Sequence, residues 1–102
     1  MTYYYLDVGG VFGSDLSNRT TAAGIRRRIE ERVKDGQGYH LCFRNVRSIS
    51  SGFVDESLAV LVESYGTAWF RQHIRVSNMS EVIRQIVLEA IAYRLGLKRL
   101  EN

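Results

Sequence analysis

Residues 39–65 read YHLCFRNVRSISSGFVDESLAVLVESY, a strand pattern followed by a loop and then a helix pattern. The first five residues alternate between the two faces of a strand. One face carries Tyr39, Leu41 and Phe43, and the other carries His40 and Cys42. The polar residues that follow, up to position 52, predict a loop that leads into a helix.

The segment after this loop has the apolar spacing of a helix from about Gly52 to Tyr65. Its predicted core positions are Val54, Leu58, Leu61, Val62 and Tyr65. Asp55 and Glu56 lie in the first turns, where the helix dipole favours acidic side chains. Gly66 follows the last apolar position and is typical of a residue just past a helix end.

The part of the chain before this unit predicts a first strand and a first helix. Tyr3 to Val8 is rich in aromatic residues and indicates a strand, with a further short strand at Val11-Phe12. A helix is predicted from Arg19 to Lys34, with Ser17 or Asn18 as its capping residue. Its apolar stripe consists of Ala22, Ile25, Ile29 and Val33.

The part after the unit predicts a third strand and a third helix. The strand is centred on Ile74 to Val76, and Trp69-Phe70 is an alternative start. Asn78 is expected to cap the helix, because Glu81 follows three residues later as in a capping box. The apolar face of this helix comprises Ile83, Ile86, Val87, Ala90, Ile91 and Leu95. A basic, frayed tail is expected from Leu97 to Asn102.

Strands that alternate with helices favour an α/β fold. We expect a mixed, mostly parallel sheet of about four strands with three helices packed on it. The 102 residues are enough for one domain, because two separate cores would each be too small. The prediction is therefore a single domain over residues 1–102.

Composition excludes several classes of protein. Hydrophobic residues make up 45% and charged residues 25%, which is typical of globular proteins and not of disordered or collagen-like chains. No apolar run approaches the length of a membrane span, and no secretion signal is expected at the first residues. With a single cysteine, Cys42, a disulfide scaffold is excluded and a cytoplasmic location is the simplest expectation.

Catalytic and metal-binding motifs are missing from the sequence, so we expect no enzyme activity, no metal and no cofactor. Cys42 lies between Leu41 and Phe43, which favours a packed thiol over a reactive one. His40 and His73 have no carboxylate at ligand spacing. A small enzyme is therefore the least favoured function.

Ser50 and Ser51 are the most informative residues, because they precede the second helix directly. Exposed backbone N–H groups and the positive end of the helix dipole meet at such a position. A phosphoryl group, with a charge of about −1.5 to −2, is stabilised there. Two readings stay open from position alone, a plain N-cap and a phosphorylatable switch.

The order of polar residues resembles the STAS-like family classed as a domain of unknown function, DUF4325. The matching positions are Phe43, Val46, Ser48, Ile49, Phe53, Asp55 and Glu56. Ser17 and Arg19 match an upstream Ser-x-Arg of that family, and the resemblance extends from about Leu16 to Arg94. Cys42 is a departure, since the family has an Asp in this strand.

The wider STAS fold, found in anti-sigma-factor antagonists, implies a function. Those proteins carry a phosphorylatable serine in a motif that resembles Ser50-Ser51-Gly52-Phe53, and Ser51 falls on the phosphoacceptor. The resemblance implies partner switching with a GHKL-type ATPase that acts as a serine kinase or an anti-sigma factor. The residues expected to bind this partner are Ser48, Gly52, Phe53, Asp55, Glu56 and Arg19.

A nucleic-acid-associated module is the alternative function. The first helix carries Arg26-Arg27-Arg28 and Arg32, which could contact phosphates, although Glu30 and Glu31 dilute the patch. The net charge of +3 is only mildly basic. Homo-oligomers are also expected to be accessible through Tyr3-Tyr4-Tyr5, if these residues form an edge strand.

Overall fold

The computed structural model of the protein describes residues 1–96. In chain order its elements are β1 (Tyr3–Asp7), α1 (Val8–Phe12), β2 (Asp15–Leu16), α2 (Arg19–Lys34), β3 (Gly38–Cys42), β4 (Ser48–Ile49), α3 (Ser51–Val54), a π-helical segment (Asp55–Ala59), α4 (Val60–Tyr65), α5 (Thr67–His73), β5 (Ile74–Ser77) and α6 (Glu81–Arg94). The predicted tail, 97–102, lies outside the described residues.

The strands of residues 1–96 form two parallel sheets. The larger sheet has the order β1-β3-β5, so the strand quoted at the outset is its centre. The smaller ladder joins β2 to β4, with Asp15 opposite Ser48 and Leu16 opposite Ile49. The α/β class and the largely parallel sheet are confirmed, and the described part of the chain has five short strands where about four were expected. The two-residue strands have no alternation that a sequence pattern could reveal.

The core lies between one face of the larger sheet and the helices α2, α3, α4 and α6. Tyr39 and Leu41 of β3 point into it, and both are about 1% exposed. The helices contribute Ile25, Ile29, Phe53, Leu58, Leu61 and Ile83, all of them buried. The predicted apolar faces of the three long helices therefore pack together. Leu95, expected on the face of the third helix, is an exception: it follows the last residue of α6 and is 37% exposed.

Residues 51–65 form one continuous helix, here called the central helix, made of α3, the π-helical segment and α4. Inside it Ser57 is buried, and its Oγ donates a hydrogen bond to the Phe53 carbonyl at 2.7 Å. The helix ends at Gly66, whose φ of +97° is accessible to glycine at little cost. Tyr65, expected in the core, is 47% exposed, and its hydroxyl donates to Glu30.

Two segments differ from the predicted elements. Val11-Phe12 is not a strand but the end of α1, a short helix that Asp7 caps by accepting from the Gly10 N–H at 3.0 Å. Trp69-Phe70 does not begin a strand but lies in α5, where Trp69 stacks on Tyr65 at 4.4 Å between ring centroids. The predicted strand centre at Ile74–Val76 is confirmed by β5.

The caps of the long helices are set by polar side chains. Asn18 caps α2, since its Oδ1 accepts from the Thr21 N–H at 2.9 Å. The predicted cap of α6 is wrong, because Ser80 rather than Asn78 accepts from the Ile83 N–H, at 3.2 Å. Asn78 instead has a φ of +59°. This backbone conformation suits a turn residue and directs the chain from β5 into α6.

No helix in the described part of the chain is both long enough and apolar enough to cross a membrane.

Candidate functional site

The two serines before the central helix have different environments. Ser50 has extended backbone angles and its Oγ accepts a hydrogen bond from the Phe53 N–H at 3.0 Å, so it is the N-cap. Ser51 is the first residue of the helix and its side chain is exposed. The plain cap and the candidate switch are therefore two different residues, with Ser50 half-buried and Ser51 exposed.

Arg19 lies directly against the first turn of the central helix. A Cβ atom placed on Gly52 would be only 2.8 Å from Nη2 of Arg19, so a glycine at this position lets the guanidinium approach the backbone. Asn18 fixes the start of α2, which sets the direction from which Arg19 reaches this turn. Ser51, Gly52 and Arg19 thus form one continuous surface.

The two carboxylates of the π-helical segment pair with three arginines from two helices, α2 and α6. Asp55 lies 3.2 Å from Nη1 of Arg94 and 3.9 Å from Nη1 of Arg19. Glu56 lies 2.8 Å from Nη1 of Arg26 and 3.4 Å from Nη1 of Arg19. The hydrogen bond from Arg26 lowers the pKa of Glu56, and the charges of Arg26 and Arg19 act in the same direction.

A groove of about 1050 Å³ opens between the head of the central helix and α6. Its walls include Arg19, Ser51, Asp55, Ile86, Tyr93 and Arg94. Arg94 is held there by a second ion pair, 3.0 Å from its Nε to Oε1 of Glu63. The lining is therefore mixed, with apolar side chains among paired charges, and Ser51 is one of the lining residues.

The remaining residues of the predicted site lie beside or beneath this surface. Ser48 in β4 donates to Oδ1 of Asp15 at 2.7 Å, a bond that lowers the pKa of Asp15. Phe53 is 2% exposed and packs in the core, so in this conformation it supports the surface from below instead of contacting solvent. Of the predicted site residues, the structure thus brings Arg19 together with Ser51 and Gly52. Asp55 and Glu56 also lie beside Arg19.

Two arginines of this site were missed by the sequence analysis. Arg26 follows Arg19 by seven residues on α2, so both lie on one face, and this spacing is a signal that could have found it. Arg94 comes from α6, 39 residues after Asp55, and no local pattern could have linked them.

The arginines proposed for nucleic-acid binding are partly engaged within the chain. Arg26 also donates to the Glu56 carbonyl at 2.9 Å. The guanidinium of Arg32 lies 4.1 Å from the centroid of the Tyr4 ring and donates to Gln37. Of the four arginines in the predicted basic patch, Arg26 and Arg32 are therefore engaged within the chain, and Arg27 and Arg28 are exposed to solvent.

Cys42 is buried, as expected of a packed thiol, but its surroundings are polar. A hydrogen bond from Tyr5 lowers its pKa to about 7, assisted by the Arg44 N–H and by Asn78, whose Nδ2 lies 3.2 Å from the sulfur. Among residues 1–96 no group of three or more His, Cys, Asp or Glu side chains is placed to hold a metal ion.

The fold and this surface define an α/β domain with a parallel sheet and a serine-headed central helix. Residues 21–84 match the family described as a STAS-like domain of unknown function (DUF4325), so the chain belongs to this family and the predicted membership is confirmed. The match is shorter than the predicted range of Leu16 to Arg94, and Ser17 and Arg19 lie outside it. Comparison with curated proteins and with solved structures gave no match.

Proposed function

We propose that this domain is a non-catalytic regulatory module that binds a protein partner and releases it when Ser51 is phosphorylated. The partner contacts the docking surface, defined as Arg19, Ser51, Gly52, Asp55 and Glu56. The observation that carries the proposal is the exposed hydroxyl of Ser51 at the groove, next to a cap that Ser50 already supplies.

The proposed partner is a GHKL-type ATPase, by analogy with anti-sigma-factor antagonists. Transfer of the γ-phosphoryl group from its ATP forms a bond to Ser51 Oγ and breaks the bond to ADP, and the hydroxyl proton leaves to solvent or to a base of the partner. The serine gains a charge of about −1.5 to −2. Burying that charge in an interface is unfavourable, and a loss of about 3 kcal/mol weakens binding by more than a hundredfold.

The family assignment supports this proposal. The separate positions of the serines support it too, since Ser50 caps the helix and Ser51 is its first residue. A single serine that served both as cap and as acceptor would lose its hydrogen bond to the Phe53 N–H on modification. Because Ser50 makes that bond, Ser51 can be modified while the helix start is maintained.

A pull-down on the immobilised domain, with and without ATP, tests the proposal. We expect a GHKL-type ATPase to be retained without ATP and released with it, and mass spectrometry to find phosphate on Ser51. The Ser51→Ala variant should retain the ATPase in both conditions. The Ser50→Ala variant, which keeps Ser51, is the matched control and should still release it.

The Ser51→Asp variant provides a second measurement with the purified ATPase. Its affinity should be lower than that of the wild type by at least about tenfold, or 1.4 kcal/mol. Equal affinities, or phosphate incorporated equally into Ser51→Ala, would contradict the proposal.

A further inference from the structure

We propose that a phosphoryl group on Ser51 is received by Arg19 and Arg94, which turn away from Asp55 to bind it. This arginine exchange rests on the proposed function, because it describes how the modified serine is accommodated. It also reverses a simple expectation. Asp55 and Glu56 alone would repel a phosphate at this position, but Arg26 stays paired with Glu56, and the two receiving arginines bring more positive charge than Asp55 has negative charge.

Arg19 is the more exposed of the two receiving groups. Its side chain is 61% exposed, and its distances to Glu56 and Asp55, 3.4 and 3.9 Å, are long for ion pairs. Such exposed pairs contribute little to stability, so little is lost when they break. Its guanidinium already lies against Gly52, the residue after Ser51, and a small rotation brings it to an attached phosphoryl group.

Arg94 reaches the same groove from the opposite side. Its Nη1 donates to both carboxylate oxygens of Asp55, at 3.4 and 3.2 Å, while its Nε pairs with Glu63. The guanidinium fork can therefore keep Glu63 on one edge and exchange Asp55 for phosphate on the other. Two arginines on one dianion give the charge-assisted, bidentate contacts that phosphate groups favour.

Arg26 takes no part in the exchange. Its side chain is 20% exposed and its Nη1 donates to both the carboxylate and the carbonyl of Glu56. Glu56 therefore stays neutralised, whereas Asp55 loses its partners. Phosphorylation then presents a bare carboxylate one turn further along the central helix, in addition to the phosphoryl group itself.

The test uses phosphoserine installed at position 51 during translation, so that no kinase is needed. Phosphorus NMR follows the second ionisation of the phosphoryl group, whose ordinary pKa is about 6. In the full chain we expect this value about one unit lower than in a phosphoserine peptide. The Arg19→Gln and Arg94→Gln variants should each raise it towards the peptide value. Arg27→Gln, an exposed arginine on α2 outside the groove, is the matched control and should leave it unchanged.

Two outcomes separate this inference from the proposed function. If the ionisation of phosphoserine in the full chain equals that of the peptide and does not respond to Arg19→Gln or Arg94→Gln, the exchange is overturned, while partner release can still occur. If the ionisation shifts as expected but the phosphorylated chain keeps its partner, the exchange stands and the proposed switching fails. Urea unfolding of each variant without phosphate verifies that the domain is folded.

Discussion

The central helix and α6 begin in the same way and then differ. Each follows a serine that accepts a hydrogen bond from the N–H three residues later, Ser50 from Phe53 and Ser80 from Ile83. The first helical residue is Ser51 in one and Glu81 in the other. α6 thus carries a carboxylate where the central helix has a hydroxyl.

This difference shows that a serine cap by itself indicates no function. Ser80 caps a helix whose first turn already has the negative charge that the dipole favours. At the central helix the acidic residues come later, in the π-helical segment, and they form ion pairs with arginines. The place for an anion at the helix start is left open, and Arg19 borders it.

The largest expected effect is the loss of stability when Phe53 or Ile83 is truncated. These are the two residues whose N–H groups donate to the capping serines, and the loss should be similar at both. Phe53 and Ile83 are 2% and 0% exposed and belong to one core. Phe53→Ala should destabilise the fold by about 3–5 kcal/mol and Ile83→Ala by about 2–5 kcal/mol, because each leaves a cavity. Urea unfolding measures both. A cost near zero for Phe53→Ala would show that its ring is not packed and is available to a partner.

Periodicity predicted the long elements of the fold and missed the short ones. α2 and α6 have continuous apolar stripes, so their bounds could be predicted closely. α5 has no buried residue, and β2 and β4 have two residues each, so none of these carries a pattern. Their positions depend on contacts with distant parts of the chain.

The candidate site was predictable only where its residues are close in sequence. The serines and Gly52 could be found from their order, and Arg19 from the family resemblance. The burial of Phe53 could not be predicted from the sequence. The π-helical segment changes the helical repeat, so that Phe53 and Leu58, five residues apart, both face the core. Arg94 depends on how α6 packs against the central helix.

The two capping serines should contribute equally to the free energy of unfolding, and each should contribute less than Phe53 or Ile83. Ser50→Ala and Ser80→Ala each remove one hydrogen bond to a backbone N–H, at 3.0 and 3.2 Å, and each should cost about 1 kcal/mol. Thermal or urea unfolding of both variants measures this. If Ser50→Ala cost nothing while Ser80→Ala did, Ser51 would have taken over the cap, and the division between the two serines would be wrong.

The carboxylate held by Arg26 gives a smaller effect that depends on pH. The folded state lowers the pKa of Glu56, so its contribution is complete above the ordinary value of 4.5 and is lost as the pH falls through the lowered value. Glu56→Gln should therefore be less stable than the wild type at neutral pH, and the gap should close in acid. Unfolding curves across this pH range test it, with Glu31→Gln, an exposed residue of α2, as the control. A gap that is independent of pH would mean that the charge of Glu56 is not what Arg26 stabilises.

The smallest effect comes from exchanging the charge at the first helical position. Ser51→Asp gives the central helix the anion that Glu81 gives α6, and Glu81→Gln removes it there. We expect about 0.3–0.5 kcal/mol of stabilisation in the first variant and an equal loss in the second, both decreasing as salt is added. Because Arg19 borders Ser51, the stabilisation by Ser51→Asp should also shrink in the Arg19→Gln background. A loss of stability on Ser51→Asp would mean that Asp55 and Glu56 dominate the local potential despite their arginine partners, and the groove could then not accept a phosphorylated serine.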